Sequence, residues 1–276
     1  MEAIAVCCCM LRFRAALFCG AMIAVSLSTP AAAQWFDYPT PGVPRTADGR
    51  PNLKAPTPKT PNGKPDLSGL WNPQGTLTNG DGFVPGGIFY DIGTGLKDGV
   101  PYQPWAAELV RQRKANLSKD HPDAKCLPLS PVQLHGHPTL KRVVQTPGML
   151  IILDERFMNF RTIYTDGRPL PADPQPAWHG YSTGKWEGDI MVVQTNGLRD
   201  DTWLDYIGST MTSSGKMIER FRRPDYGNLE IEITIDDPKA YTRPFTVTIH
   251  QAISLNTDLL ETFCDNERDQ AHLVGK

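Results

Sequence analysis

Histidine and carboxylate side chains are the groups best suited to moving protons near neutral pH. This sequence sets several of them beside aromatic residues. The stretch from Trp178 to Asp189 gathers His179, Tyr181, Ser182, Lys185, Trp186 and Glu187. Aromatic faces supply contact area and polar tips supply orientation, the mixture that a small-molecule pocket requires. The plainer alternative is a core Trp186 with Gly184 beside an ordinary turn. Charged residues also recur inside apolar runs: Glu155 and Arg161, Glu219 and Arg220, then Glu261 shortly before Cys264. Any that point into a core must be paired or protonated, because an isolated buried charge is prohibitively costly. They are either structural Glu–Arg pairs or the carboxylate half of an acid/base couple. In that couple the imidazole is His179 or His250, and His179 with Glu155, Glu219 or Glu261 is the pairing expected. Tyr181, Trp186, Arg161, Trp203 and His250 are the matching ligand-binding candidates. Trp203 sits at the tip of an acidic loop, Asp200 to Asp205, as a lid, a rim or a tucked-in turn. His250 shares a strand face with Thr246 and Thr248, opposite Phe245, Val247 and Ile249, and that face is turned either to solvent, the expected environment, or to a polar lumen.

Leu134-His135-Gly136-His137-Pro138 is the one HxH pair, which makes His135 and His137 the candidates for metal binding. Two imidazoles can ligate zinc or copper, but a structural zinc site takes four ligands and a catalytic one at least three. No third partner is visible, and the proline-rich surroundings predict an exposed loop. Neither a metal nor another cofactor is expected. The sequence also lacks a Gly-x-Ser-x-Gly elbow, a P-loop, a dinucleotide fingerprint and an HExxH motif, which argues against serine hydrolases, nucleotide enzymes and zinc proteases.

The elements that must position these groups begin after a secretory signal. Arg12 and Arg14, an apolar run from Ala15 to about Leu27, and Ala31-Ala32-Ala33 have its three parts, and cleavage is expected after Ala33. Met10 is an alternative start, which would leave Cys7, Cys8 and Cys9 untranslated. The apolar run is short for a span of about 20 residues, and Cys19 lacks the small residue that precedes a lipidated cysteine, so no stable membrane anchor is expected. Removal of residues 1–33 leaves 276 − 33 = 243 residues and takes away Glu2, Arg12 and Arg14, moving the net charge from −2 to −3. Nucleic acid is therefore an unpromising partner. The location expected is periplasmic or secreted, where the two remaining cysteines, Cys126 and Cys264, are expected to form a disulfide.

Residues 34–65 are rich in Pro, Gly, Thr and Lys and poor in large apolar residues, so they read as an extended arm unable to fold alone. Within it Asp48-Gly49-Arg50-Pro51-Asn52-Leu53 is echoed by Asn62-Gly63-Lys64-Pro65-Asp66-Leu67, and Asp166-Gly167-Arg168-Pro169-Leu170 follows later, each a turn with an extended exit. One short amphipathic helix is expected near 104–114, opened by Pro104 and carrying Trp105, Leu109 and Val110 on one side. From Lys141 onward, runs of five to ten residues separated by Gly, Pro, Asp and Asn predict antiparallel strands. In the clearest of them, Asn228 to Asp236, Leu229, Ile231, Ile233 and Ile235 alternate with Glu230, Glu232, Thr234 and Asp236. The other candidates are 141–146, 149–153, 157–165, 179–186, 189–195, 216–223, 245–249 and 259–264. So many strands in succession imply a sandwich or a closed barrel over residues 66–276.

Two Gly-x-Trp motifs sharpen that picture: Asp66-Leu67-Ser68-Gly69-Leu70-Trp71, and Gly184-Lys185-Trp186-Glu187-Gly188-Asp189. The first resembles the opening strand of lipocalin-like (calycin) barrels. The mature chain also resembles a broad group of exported bacterial proteins that share Pro-Asp-Leu-Ser-Gly-x-Trp and Gly-x-Trp-Glu-Gly-Asp. The resemblance implies a mostly β, antiparallel barrel with a cavity, with Trp71 plugging its closed end. In lipocalins an arginine packs on that tryptophan, and Arg220 and Arg222 are its candidates here. The resemblance supplies no reaction.

Three readings follow. A carrier holding a small apolar or aromatic molecule in its lumen predicts an apolar interior with few titratable groups. A cofactor-independent lyase, isomerase or hydrolase acting on such a molecule predicts His179 and a carboxylate meeting in one cavity. An envelope structural or interaction module predicts a filled barrel with its function in the arm. The oligomeric state is not legible.

Overall fold

A computed structural model describes residues 38–74, 87–262 and Cys264. The proposed leader and its cleavage site lie outside these residues. Nine strands close into a barrel: β1 (Gly69–Pro73), β2 (Lys141–Thr146), β3 (Met149–Asp154), β4 (Asn159–Tyr164), β5 (Tyr181–Glu187), β6 (Ile190–Asn196), β9 (Lys216–Asp225), β10 (Asn228–Asp236) and β11 (Phe245–Ile253), the last pairing back onto β1. Between β6 and β9, β7 (Thr202–Trp203) and β8 (Thr210–Met211) form a separate two-stranded ribbon.

The alternation in β10 does what its period dictates. Leu229, Ile231, Ile233 and Ile235 are buried, and the last three face Ile249, Val247 and Phe245 of β11 in register. Each such side chain taken from water contributes about 1.5–3 kcal/mol, so these two strands anchor the apolar half of the interior.

Every neighbouring pair in the barrel is antiparallel except one. β4 and β5 run parallel and share a single paired position, Tyr164 with Thr183. The chain returns to the same end of the barrel through residues 165–180, where a hairpin would have reversed it. The expected all-antiparallel order is corrected at this seam. Two further strand boundaries differ from expectation. Phe157 and Met158 adopt φ values of 55° and 50° in a short 3-10 turn, so β4 starts at Asn159. Residues 259–262 carry no strand and lie as a loop.

Among the described residues, three α-helices precede β2: α1 (Gly87–Tyr90), α2 (Pro104–Ala115) and α3 (Pro131–Gly136). α2 begins at Pro104 as expected, yet its buried residues are Ala106 and Val110, while Trp105 stays 47% exposed and donates through Nε1 to Lys239 O. α3 overturns the exposed-loop expectation for the HxH pair. All six of its residues are buried, Ser130 Oγ caps its first turn by accepting from Gln133 N, and Pro131 fits the first helical position. No helix among the described residues is long and apolar enough to cross a membrane.

Residues 39–65 lie along this barrel. Two matching turns are closed by the bridges Arg45–Pro51 and Lys59–Pro65. The segment between them docks through Tyr226 N to Ala55 O, Gly227 N to Leu53 O, and Thr57 Oγ1 to Arg223 O. Cys126 and Cys264 form a disulfide across a sequence separation of 138 residues, with Cα atoms 5.6 Å apart.

Candidate functional site

The first cluster lies inside the barrel. Arg161 of β4 faces inward because it shares parity with Ile163, and Glu219 of β9 does so with Met217 and Phe221. Arg161 Nη1 donates to Glu219 Oε1 at 2.7 Å, and Nη2 donates to Glu219 Oε2, to Ser182 Oγ at 3.1 Å and to Thr195 Oγ1 at 3.0 Å. His135 descends from α3 and places Nε2 2.8 Å from Glu219 Oε1. Gln251 Nε2 holds the helix by donating to His135 O at 2.9 Å.

Burial raises the Glu219 pKa, but the Arg161 charge and the hydrogen bonds from Arg161 and His135 outweigh it, leaving the carboxyl at about 2. Burial also drives His135 downward. The triad is thus a guanidinium and a carboxylate with a neutral imidazole donating its Nε2 proton. Glu219 is paired across the barrel with Arg161, and its sequence neighbour Arg220 points outward to Glu187.

His179 sits on the turn before β5, where Gly180 takes φ 61°. An added Cβ on Gly180 would meet Asn196 O at 2.4 Å, so the turn packs tightly against the end of β6. Both His179 ring nitrogens are shut off from solvent and have no hydrogen-bond partner among the described residues, and the same holds for Arg161 Nε. Burial, then the Arg161 charge, pushes the His179 pKa down to about 3, with Glu219 pulling weakly the other way.

The structure therefore brings His179 and Glu219 into one electrostatic neighbourhood and leaves the other two carboxylates outside it. Glu155 accepts from Leu140 N and Leu260 N at the barrel rim, and Glu261 is exposed. Among the ligand-binding candidates, Arg161 belongs to the interior triad and Trp186 packs half-buried against the core. Tyr181 turns outward and stacks on Tyr164 at 5.3 Å. His250 lies exposed on the outer face of β11. His135 and His137 part company: His137 Nδ1 meets Thr139 Oγ1 at 3.0 Å, and its ring meets Phe89 edge-on. No group of three His, Cys, Asp or Glu side chains is placed to hold a metal among the described residues.

Trp203 leads to the second feature, a cleft of about 520 Å³ walled by α2, the turn through Pro122, Lys125 and Leu127, and the Trp178, Asp201 and Trp203 side chains. Trp203 is held by the β7–β8 ribbon and is 4% exposed, with the Arg113 guanidinium 4.1 Å over its ring and His121 edge-on at 5.0 Å. Trp178 carries Arg199 over its ring at 4.7 Å, and Arg199 forms two 2.8 Å hydrogen bonds with Asp201. Lys125 lies 3.9 Å from Asp120. His121 Nδ1 accepts from Asp123 N, its Nε2 faces the Gln133 amide at 2.6 Å, and burial lowers its pKa to about 4. Arg113 and Gln133 were not among the sequence candidates. Nothing short of the fold places α2 against the β7 ribbon, so no local signal marks Arg113.

The chain is a closed, mostly β barrel with a polar interior triad and an aromatic cleft beside it. No protein-family model and no curated protein matches it.

Proposed function

We propose that this is an exported protein that binds a small apolar or aromatic molecule, and that the molecule lies in the cleft bordered by Trp178 and Trp203. One observation carries the reading: about 520 Å³ of space lined by two indoles, Leu109 and Leu127 together with charged side chains. That volume falls within the roughly 300–1,000 Å³ of ordinary small-molecule sites, and the lining sets Leu109, Pro122, Leu127 and the two indoles beside Gln112, Arg113, Asn116, Asp120, Lys125 and Asp201. The site moves from the lumen to the cleft because apolar side chains from β1 to β11 interlock through the interior as one continuous core. The leader-like N-terminus and the disulfide support export.

The test is a titration of isotope-labelled protein with a library of small aromatic fragments, reading the indole N–H resonances. Binding is expected to displace those of Trp178 and Trp203, and Trp178→Ala is expected to weaken it by at least about tenfold. If no fragment moves either resonance, the reading fails.

A second reading, acid/base chemistry on such a molecule, is favoured by the orphaned nitrogens of His179 beside Arg161 and Glu219. A neutral imidazole with an open nitrogen can take a proton, with the Glu219 charge favouring the resulting imidazolium and the stronger Arg161 charge opposing it. Turnover lost in His179→Gln with fragment binding intact supports this reading; turnover retained in that variant removes it.

A further inference from the structure

The cleft's charges are not all matched. Asp201 is paired with Arg199, and Asp120 with Lys125. Arg113 is different. It projects from the last turn of α2 into the cleft wall and forms no ion pair with any described residue. One of its nitrogens, Nη1, donates to Gly208 O at 2.6 Å. Its Nε and Nη2 make no hydrogen bond to any described residue. The Arg113 guanidinium sits over the Trp203 ring, its Cζ 4.1 Å from the ring centroid. Gly208 fits closely beneath it, since an added Cβ there would meet Arg113 Cδ at 2.4 Å. The side chain is thus locked on one side by a carbonyl and on one face by an indole, with donors left over.

From this we infer, granting that the cleft is the binding site, that its ligand carries a carboxylate and that Arg113 is the group that recognises it. A guanidinium with free, coplanar donors is matched to the two oxygens of a carboxylate, and this pairing is stronger than a neutral hydrogen bond. Burial gives an independent reason. It lowers the Arg113 pKa to about 10, outweighing the Asp205 and Asp120 charges that pull the other way, so the hydration the cation loses is only partly compensated. An anion entering the cleft would supply the missing compensation, whereas a neutral ligand would leave the cation worse solvated than before. The apolar remainder of the ligand would lie toward Leu109, Leu127 and Trp178. The ligand class is therefore a small aromatic or apolar acid. Lys125 at the rim, with its partner Asp120 3.9 Å away, adds long-range attraction but no geometry.

The experiment compares matched pairs on the full mature chain: 2-naphthoate against 2-naphthamide, and phenylacetate against phenylacetamide. Affinity is read from the Trp178 and Trp203 indole resonances. Wild-type protein is expected to prefer each acid over its amide by at least about tenfold. Arg113→Met is expected to abolish that preference while amide binding persists, and Arg113→Lys to restore only part of it, because an ammonium cannot offer the planar fork. Arg113 also packs on Trp203, so the wild-type comparison stands as the deciding measurement if Arg113→Met does not fold. Equal affinity for acid and amide would overturn the role of Arg113 and leave the cleft as a binding site. Absence of any shift at Trp178 and Trp203 with all four probes, and with the wider fragment library, would overturn both.

Discussion

Arg161 and Glu219 meet in the middle of the barrel with side chains 1% and 0% exposed, and their contact closes the weakest seam in the sheet. Along β4 and β5 only Tyr164 and Thr183 are paired. Arg161 starts on β4 and reaches Ser182 on β5, Thr195 on β6 and Glu219 on β9. Side-chain hydrogen bonds across the interior thus replace the backbone ladder that the parallel return does not form. His135 extends the same network to α3, so the barrel wall and its buried helix share one polar node.

Removing one member of that node leaves an uncompensated buried charge. Glu219→Gln is expected to lower unfolding free energy by about 3–5 kcal/mol. The paired replacement Arg161→Met with Glu219→Leu is expected to cost clearly less than the sum of the single changes, because neither charge is then left alone. Urea unfolding of Glu219→Gln, of Arg161→Met and Glu219→Leu singly, and of the double variant measures this; additive losses would show that the two residues are not energetically coupled.

The disulfide fixes the C-terminal loop to the turn that walls the cleft, since Cys126 lies between Lys125 and Leu127. The same loop is tied to the barrel rim by Leu260 N to Glu155 Oε1 at 2.9 Å and by Phe157 N to Thr262 Oγ1 at 3.0 Å. For a closed loop of this length the chain-entropy model gives about 5 kcal/mol. Cys126→Ser with Cys264→Ser is therefore expected to lower the urea midpoint strongly. Unchanged stability after reduction would show that the rim contacts alone hold the loop.

Much of this arrangement can be read from period and parity, and the rest depends on what packs against what. β10 is legible because four apolar residues alternate with four polar ones along it. The inward direction of Glu219 is legible too, because it shares parity with Met217 and Phe221. Its partner is not, since Arg161 lies 58 residues away in sequence. The HxH segment misleads because His135, Gly136 and Pro138 read as loop chemistry, whereas a six-residue helix capped by Ser130 is stabilised by burial on all sides rather than by propensity. The cleft is invisible in sequence because α2 and the 122–127 turn that follows it form one wall, and the other comes from the 178–203 region, far along the chain.

Acid should unfold the protein earlier than its net charge suggests. Burial is the main cause that lowers His121 to about 4, His137 to about 2 and His179 to about 3, and it drives His135 in the same direction. In the unfolded chain these groups titrate near about 6.5. Their contribution is therefore fully present above that value and is lost as pH falls below it, at up to about 1.4 kcal/mol per pH unit for each histidine. Asp205, raised to about 6, and Asp154, also raised, act in the opposite sense, so two carboxyls oppose four imidazoles. Glu219, held near 2, adds a loss at still lower pH. The urea midpoint is expected to be level above about pH 7 and to fall steadily toward about pH 5. A midpoint that stayed level or rose across that interval would mean that the buried imidazoles accept protons in the folded state.

At the other end of the barrel, the arginine that packs on Trp71 is Arg223, with its guanidinium 4.9 Å from the ring centroid. Arg220 and Arg222, the sequence candidates, have the wrong parity and pair outward with Glu187 and Glu230. Arg223 donates from Nη1 to Asp66 O at 2.6 Å and Ser68 O at 3.1 Å, and from Nη2 to Tyr226 O at 2.6 Å. It thereby ties the end of the arm to the β9–β10 turn, and Trp71 completes the closure by donating Nε1 to Leu67 O at 3.1 Å. Arg223→Met keeps the apolar contact with Trp71 but leaves three carbonyls short of a donor. Each unsatisfied buried group costs about 1–3 kcal/mol, less whatever water recovers. A loss of about 2–5 kcal/mol is therefore expected by urea unfolding, with faster hydrogen exchange at Tyr226 and Gly227, whose amides bond to Ala55 and Leu53 of the arm. Arg222→Met, one residue away but outward, is expected to cost no more than about 1 kcal/mol. If the two variants proved equally stable, the arginine at this position would be packing surface only, and the arm would be held by its backbone contacts alone.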